Sequence, residues 1–96
     1  MSSVRALLAD DFKFEGPLMR ANSADEFFQQ LENFPFEAKT TTRSLIADGN
    51  QVVHVFDFNI TAPVRADIPM CELFEIGDDK IAASRLFYDS AKFPKP

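Results

Sequence analysis

Several residue types that often carry chemistry are scarce in this chain of 96 residues. It has no tryptophan, three glycines and one cysteine, Cys71, so it offers no internal disulfide and no glycine-rich phosphate loop. One histidine with one cysteine makes no metal site of a usual kind. The longest apolar run, from Ala6, falls far short of the roughly 20 residues of a membrane span. We therefore expect no cofactor, no metal and no membrane partner.

Positive charge is also in short supply. Ten Lys and Arg oppose fifteen Asp and Glu, giving a net charge of −5, and the basic residues are scattered along the chain. Nucleic-acid binders normally carry a clustered basic surface, so we expect no nucleic-acid partner. The N-terminus lacks the basic-then-apolar pattern of a signal peptide. Together with the lone cysteine, this favours a cytoplasmic location.

What the sequence has in abundance is phenylalanine, with 11 copies in a composition that is 46% hydrophobic. The length allows one domain, spanning residues 1–96. A domain this small buries only about 60–65% of its unfolded surface. It must therefore pack its large side chains efficiently or share a surface with a partner.

The patterns predict two helices followed by a strand meander. Residues 2–9 carry one apolar stripe and are predicted to form a short helix, and residues 12–15 a short strand. Ser23 and Glu26 form a capping box that begins a helix ending near Asn33. Strands are predicted over 36–47, 51–61, 68–76 and 80–89, with a hairpin at Asp48-Gly49. This order indicates an α+β domain.

Both faces of the predicted sheet are apolar in its middle strands. Alternation places one set of side chains on an inner face: Val52, His54, Phe56, Phe58, Ile60, Met70, Glu72, Phe74, Ala82, Ser84, Leu86 and Tyr88. The opposite face carries Val53, Val55, Cys71, Leu73, Ile81, Ala83 and Phe87. An antiparallel sheet with one solvated face should be polar there. We therefore expect a second copy of the chain to cover the outer face.

Two segments of the sequence resemble a known superfamily. The run from Leu8 to Pro17, and Glu72 to Ile76 followed by Lys80-Ile81 and residues 85–89, are similar to the nuclear transport factor 2-like superfamily. Its members include SnoaL-like cyclases and ketosteroid isomerases, and the resemblance covers about residues 7–90. It implies a cone-shaped, cystatin-like α+β barrel, in which a curved mixed or antiparallel sheet wraps around N-terminal helices. It also implies homodimers through the convex face, here Val53, Val55, Cys71, Leu73 and Phe87. Set beside the family, the length leads us to expect that the usual long first helix is missing or much reduced.

Only some of the catalytic groups of these families have counterparts in this sequence. Glu72 aligns with the isomerase acid that stays protonated to donate a hydrogen bond to an oxyanion. Gly16 stands where the isomerase has its general base, and the nearest carboxylate is Glu15. Asp89 is similar to the aspartate that SnoaL-like cyclases use near the end of the last strand. If that strand is regular, Asp89 lies on the outer face, whereas a bulge would turn it inward.

The inner face itself offers a candidate acid–base pair. An apolar surrounding raises the pKa of a carboxyl such as Glu72, and His54 is a natural general base near neutral pH. The alternatives are a carboxylate at the pocket mouth paired with water or a basic group, and a core histidine bonded to a backbone carbonyl or hydroxyl. The predicted catalytic set is His54, Glu72 and Asp89. The predicted pocket lining is Phe14, Phe56, Phe58, Met70, Phe74 and Tyr88.

Two functional hypotheses follow from the sequence. The first is a SnoaL-like protein that binds a small, largely apolar molecule in a Phe-lined pocket, with isomerase- or cyclase-type proton transfer. The second is a non-catalytic dimerisation or scaffold module of the same fold. Whether the chain is an enzyme stays open at this point, because at most one catalytic group of each related family is retained.

Overall fold

A six-stranded sheet and one α-helix make up the computed structural model, which describes residues 6–94. The chain is an α+β protein whose curved, mostly antiparallel sheet has the cone fold. Its elements are β1 (Leu8–Glu15), β2 (Arg20–Ala21), α1 (Ala24–Glu32), β3 (Glu37–Asp48), β4 (Gln51–Ala62), β5 (Ala66–Gly77), β6 (Lys80–Phe87) and a 3-10 helix (Ser90–Lys92).

The strand order in the sheet is β2-β1-β6-β5-β4-β3. Strands β3 to β6 form an antiparallel meander, and β1 returns to pair with β6 in parallel, which makes the sheet mixed. The two hairpin turns have the left-handed backbone that such turns require, with Gly49 at φ 61° and Asp78 and Asp79 at φ 52° and 63°. The hairpin turn predicted at Asp48-Gly49 is thus confirmed.

The capping box predicted at Ser23 begins α1. The Ser23 hydroxyl accepts a hydrogen bond from the backbone N–H of Glu26 at 3.1 Å, which satisfies one of the free donors of the first turn. Asn33 forms the C-cap, so the helix ends where the sequence predicts. Within residues 6–94, no helix is long and apolar enough to cross a membrane.

The prediction of a helix over residues 2–9 is wrong for residues 6–9, which the structure describes. Residues 2–5 lie outside the described residues, and Ala6 and Leu7 form a turn. Leu8 already belongs to β1, opposite Ile81 of β6, and the backbone N–H of Ile81 donates to the carbonyl of Leu7 at 2.8 Å. A helix of under three turns is marginal alone, whereas pairing with β6 satisfies these backbone groups.

Two buried apolar clusters fill the inner, concave side of the sheet. The first joins β1, β2 and α1 and consists of Leu8, Phe12, Phe14, Ala21 and Ala24. The second joins β4, β5 and the segment before β3 and consists of Phe36, Phe56, Ile60, Ile68 and Met70. Leu86 of β6 packs against both clusters. The concave surface between them is where the candidate site lies.

Candidate functional site

The strand register brings the two predicted acid–base residues side by side. His54 on β4 lies directly opposite Glu72 on β5, and Glu72 lies opposite Leu86 on β6. One step along the same face, Phe74 lies opposite Ser84. Side chains of directly opposed residues share a face and stand about 4.5–5.5 Å apart at Cβ. Glu72 is thus the one carboxylate in a row of neutral and apolar neighbours.

The Glu72 carboxyl is held by a single short hydrogen bond. The Ser84 hydroxyl donates to Oε2 of Glu72 at 2.5 Å, and Ser84 itself is only 2% exposed. Burial raises the pKa of Glu72 above its usual range, and the hydrogen bond from Ser84 opposes that shift in part. The arrangement favours a carboxyl that keeps its proton to a higher pH than an exposed glutamate does.

His54 has a different hydrogen-bond partner from the one a dyad requires. Its Nε2 lies 2.8 Å from Oγ1 of Thr42 on β3, and its ring stacks on Phe56 with centroids 4.6 Å apart. No ion pair joins His54 to Glu72 in the part of the chain that the structure describes. His54 and Glu72 are neighbours on one face, but each is hydrogen-bonded to a different hydroxyl. His54 is bonded to Thr42 and Glu72 to Ser84.

The end of β6 gives Asp89 a structural contact. The strand stops at Phe87, and Oδ1 of Asp89 accepts a hydrogen bond from the backbone N–H of Ala91 at 3.0 Å, which caps the 3-10 helix. The side chain is exposed. Tyr88 packs against the second cluster, and burial raises the pKa of its hydroxyl.

The six predicted pocket-lining residues do not all lie in one buried cluster. Phe14 belongs to the first cluster, where its ring lies 4.9 Å from that of Phe27. Phe56 and Met70 are buried in the second cluster, and Phe58 and Tyr88 pack against it. Phe74 is half-buried, opposite Val52 and Ser84.

Aromatic rings from outside the sheet fill one end of the cone. Phe34, Phe36 and Phe93 contact one another with centroids 5.4 to 6.0 Å apart, and Phe58 lies 6.1 Å from Phe34. These rings arrive from the helix exit and the C-terminal segment, so the meander's alternation does not predict them. Four half-buried side chains lie around Glu72 on the concave face: Val52, His54, Phe74 and Leu86.

A separate depression of about 380 Å³ lies near β1, β2 and β6. Along each strand, the charged residues that line the depression alternate with the residues of the concave face. Their side chains therefore lie on the opposite, convex side. They are Lys13, Glu15, Arg20, Glu75 and Arg85. Glu15 and Arg20 form an ion pair at 3.4 Å. This charged depression is a poor match for an apolar ligand.

The convex face retains the apolar rows that the sequence predicts. Val53 lies opposite Leu73, and Val55 lies opposite Cys71, which in turn lies opposite Phe87. Phe87 is 55% exposed, and Val53, Val55, Cys71 and Leu73 are half-buried in the single chain.

Sequence reasoning missed the two hydroxyls that hold the acid–base residues. Ser84 was placed on the inner face by alternation, but nothing in its neighbourhood along the chain marks a partner of Glu72. The signal is the register: the diagonal neighbour of Glu72 across β5 and β6 is Ser84. Thr42 lies at a register shift of β3, between Thr42 and Ser44, which hides its position beside His54 in the same way.

The raised pKa of Glu72 makes stability depend on pH. The unfolded chain loses this proton near the ordinary pKa of 4.5, whereas the folded protein keeps it to higher pH. Stability from this group is therefore lost as pH rises from about 4.5 through the folded pKa. We expect urea unfolding across that window to show the wild type weakening relative to Glu72→Gln. The exposed Glu37→Gln serves as the matched control, and parallel pH curves for wild type and Glu72→Gln would contradict the assignment.

Comparison with known proteins identifies relatives of the whole fold. Residues 1–84 match the family model described as the SnoaL-like domain. A search of curated proteins gives no significant match.

Solved structures match most of the chain at low sequence identity. A nuclear transport factor 2-like protein of unknown function from Burkholderia pseudomallei has a TM-score of 0.86 at 17% identity, covering 94% of this chain and 79% of its own. An LEH-like epoxide hydrolase from M. tuberculosis has a TM-score of 0.82 at 22% identity, covering 95% and 71%. A protein with a ketosteroid isomerase-like fold from Catenulispora acidiphila, solved with trimethylamine, has a TM-score of 0.78 at 14% identity, covering 92% and 74%. These likenesses establish the fold.

Proposed function

Because this chain belongs to the SnoaL-like domain family, we propose that it binds a small, largely apolar molecule on the concave face around Glu72. The supporting observation is the Glu72 carboxyl, half-buried beside Phe74 and Leu86 with its pKa raised by burial. A carboxyl that stays protonated in an apolar site can donate a hydrogen bond to an acceptor oxygen of a ligand. The apolar surface between the two clusters would hold the body of the molecule.

His54 supplies the second half of a proton transfer. When its Nε2–H donates to the Thr42 hydroxyl, Nδ1 is left unprotonated and able to accept a proton from a ligand. Glu72 would then stabilise the charge that develops on the ligand oxygen. The proposed chemistry is the isomerase- or cyclase-type movement of a proton, with His54 as base and Glu72 as donor.

The ligand hypothesis can be tested with two probes of the same shape. α-Tetralone and tetralin share a bicyclic apolar body, but only α-tetralone carries an acceptor oxygen. Because one neutral hydrogen bond contributes about 0.5–1.5 kcal/mol, we expect calorimetry to give about two- to tenfold tighter binding of α-tetralone. The preference should vanish as rising pH ionises Glu72, since a carboxylate cannot donate to a carbonyl.

Glu72→Gln is the matched control for the source of that preference. Its amide still donates a hydrogen bond but does not titrate, so the preference for α-tetralone should persist at all pH values. If the variant keeps the wild-type pH dependence, Glu72 is not the group that controls binding. If neither probe binds the wild type, the ligand hypothesis fails.

We also propose that the chain forms a homodimer through the convex face. The support is a contiguous apolar surface on Val53, Val55, Cys71, Leu73 and Phe87, which a solvated sheet face would not carry. A two-fold axis would place the same five side chains on both partners.

A non-catalytic dimerisation module is the second candidate function. The observation in its favour is that Phe34, Phe36, Phe58 and Phe93 occupy one end of the cone, where a ligand pocket could otherwise form. A dimer that binds neither probe would support this alternative over the first.

A further inference from the structure

Ser84 stands out among the polar groups of the concave face because solvent does not reach it. Among the described residues 6–94, Ser84 is the polar residue whose side chain is buried, at 2% exposure. It lies beside Phe14 of the first cluster and Phe74 of β5. A buried hydroxyl without a partner is destabilising, so its bond to Glu72 satisfies a group that water cannot reach.

We propose that Ser84 is a positioning residue that occupies Oε2 of Glu72 and leaves Oε1 as the oxygen that holds the proton and faces a ligand. The hydroxyl proton of Ser84 points into a lone pair of Oε2, so a further proton on the carboxyl goes to Oε1. Oε1 is then the oxygen from which Glu72 can donate to a ligand. This inference rests on the proposed donor role of Glu72.

The other titratable side chains that face Glu72 are bonded or packed elsewhere. On β4 the facing titratable group is His54, which is bonded to Thr42, and just after the end of β6 it is Tyr88, which packs against the second cluster. Met70 and Phe74 flank Glu72 on its own strand, and Phe14 on β1 lies beyond Ser84. Ser84 is thus the hydrogen-bonding side chain through which the protein sets the carboxyl's orientation.

If Glu72 rather than Ser84 is the hydrogen-bond donor, the pKa of Glu72 responds in the opposite direction to loss of the Ser84 hydroxyl. If protonated Glu72 instead donates its proton to Oγ of Ser84, no donor is left for a ligand. Removing the hydroxyl would then destabilise the protonated acid and lower its pKa. With Ser84 as the donor, removing the hydroxyl destabilises the carboxylate and raises the pKa of Glu72.

The sign of the change in Ser84→Ala therefore tests the inference. The measurement is an NMR pH titration of isotope-labelled glutamate side-chain carboxyls in the ligand-free protein, with Thr41→Val as a control that removes a hydroxyl bonded to Asn59. We expect an upward shift of the Glu72 titration in Ser84→Ala, a smaller upward shift in Ser84→Cys, whose thiol is a weak donor, and none in Thr41→Val. A downward or absent shift in both Ser84 variants overturns the inference.

The experiment separates this inference from the proposed function. Because no ligand is added, a failure of α-tetralone to bind leaves the titration result unaffected. Conversely, if α-tetralone binds the wild type but the titration of Ser84→Ala does not move upward, the ligand site stands and Ser84 has no positioning role.

Discussion

Replacing Phe87 by glutamate is expected to convert a dimer into a monomer. Phe87 is 55% exposed and stands in a row with Cys71 and Val55 on the convex face. A two-fold interface would bury the new carboxylate twice, at a cost of several kcal/mol for each unpaired ion. Each 1.4 kcal/mol weakens association about tenfold, so we expect the dimer dissociation constant to rise at least about a hundredfold.

Light scattering at micromolar concentration measures this change directly. The wild type should give twice the 10.8 kDa chain mass, and Phe87→Glu should give the chain mass itself. Leu18→Glu is the matched control, because Leu18 is 63% exposed and lies outside the strands. A wild type that scatters as a monomer would end the dimer proposal, and equal loss of mass in both variants would show that the convex face has no special part in it.

Phe12→Ala is expected to cause the largest loss of stability of any single truncation described here. Phe12 is 2% exposed and its ring lies 5.3 Å from that of Phe27, so it ties β1 to α1 at the centre of the first cluster. Removing a buried phenylalanine ring typically costs about 3–5 kcal/mol, which is a large share of the total stability of a small domain.

Urea unfolding of Phe12→Ala and Leu18→Ala tests this assignment. The two variants each remove an apolar side chain, but Leu18 is largely in solvent, so its truncation should change the free energy of unfolding by less than about 0.5 kcal/mol. A loss in Phe12→Ala below about 1 kcal/mol would mean that β1 and α1 do not share a packed core.

The elements that the sequence predicts correctly are those whose signals lie within a few residues of one another. The capping box at Ser23 gave the start of α1, and the period-two alternation of β4 and β5 placed His54 and Glu72 on one face. Those signals depend on neighbours a few residues away, so the sequence contains them in full.

The features that sequence reasoning missed depend on distant partners. Leu8 is in a strand because β6, more than 70 positions later, pairs with it in parallel. Phe34 and Phe36 meet Phe93 from a distant part of the chain and fill the cone, so a Phe-lined opening could not be distinguished from a filled core. Ser84 acquires its role only through the register of β5 and β6.

NMR mapping with α-tetralone shows whether the concave face around Glu72 is a ligand site. We expect chemical-shift changes centred on His54, Glu72 and Phe74, at a pH where Glu72 is protonated, and much smaller changes with tetralin. Changes centred instead on the charged depression of Lys13, Arg20 and Arg85, or no changes at all, would contradict it.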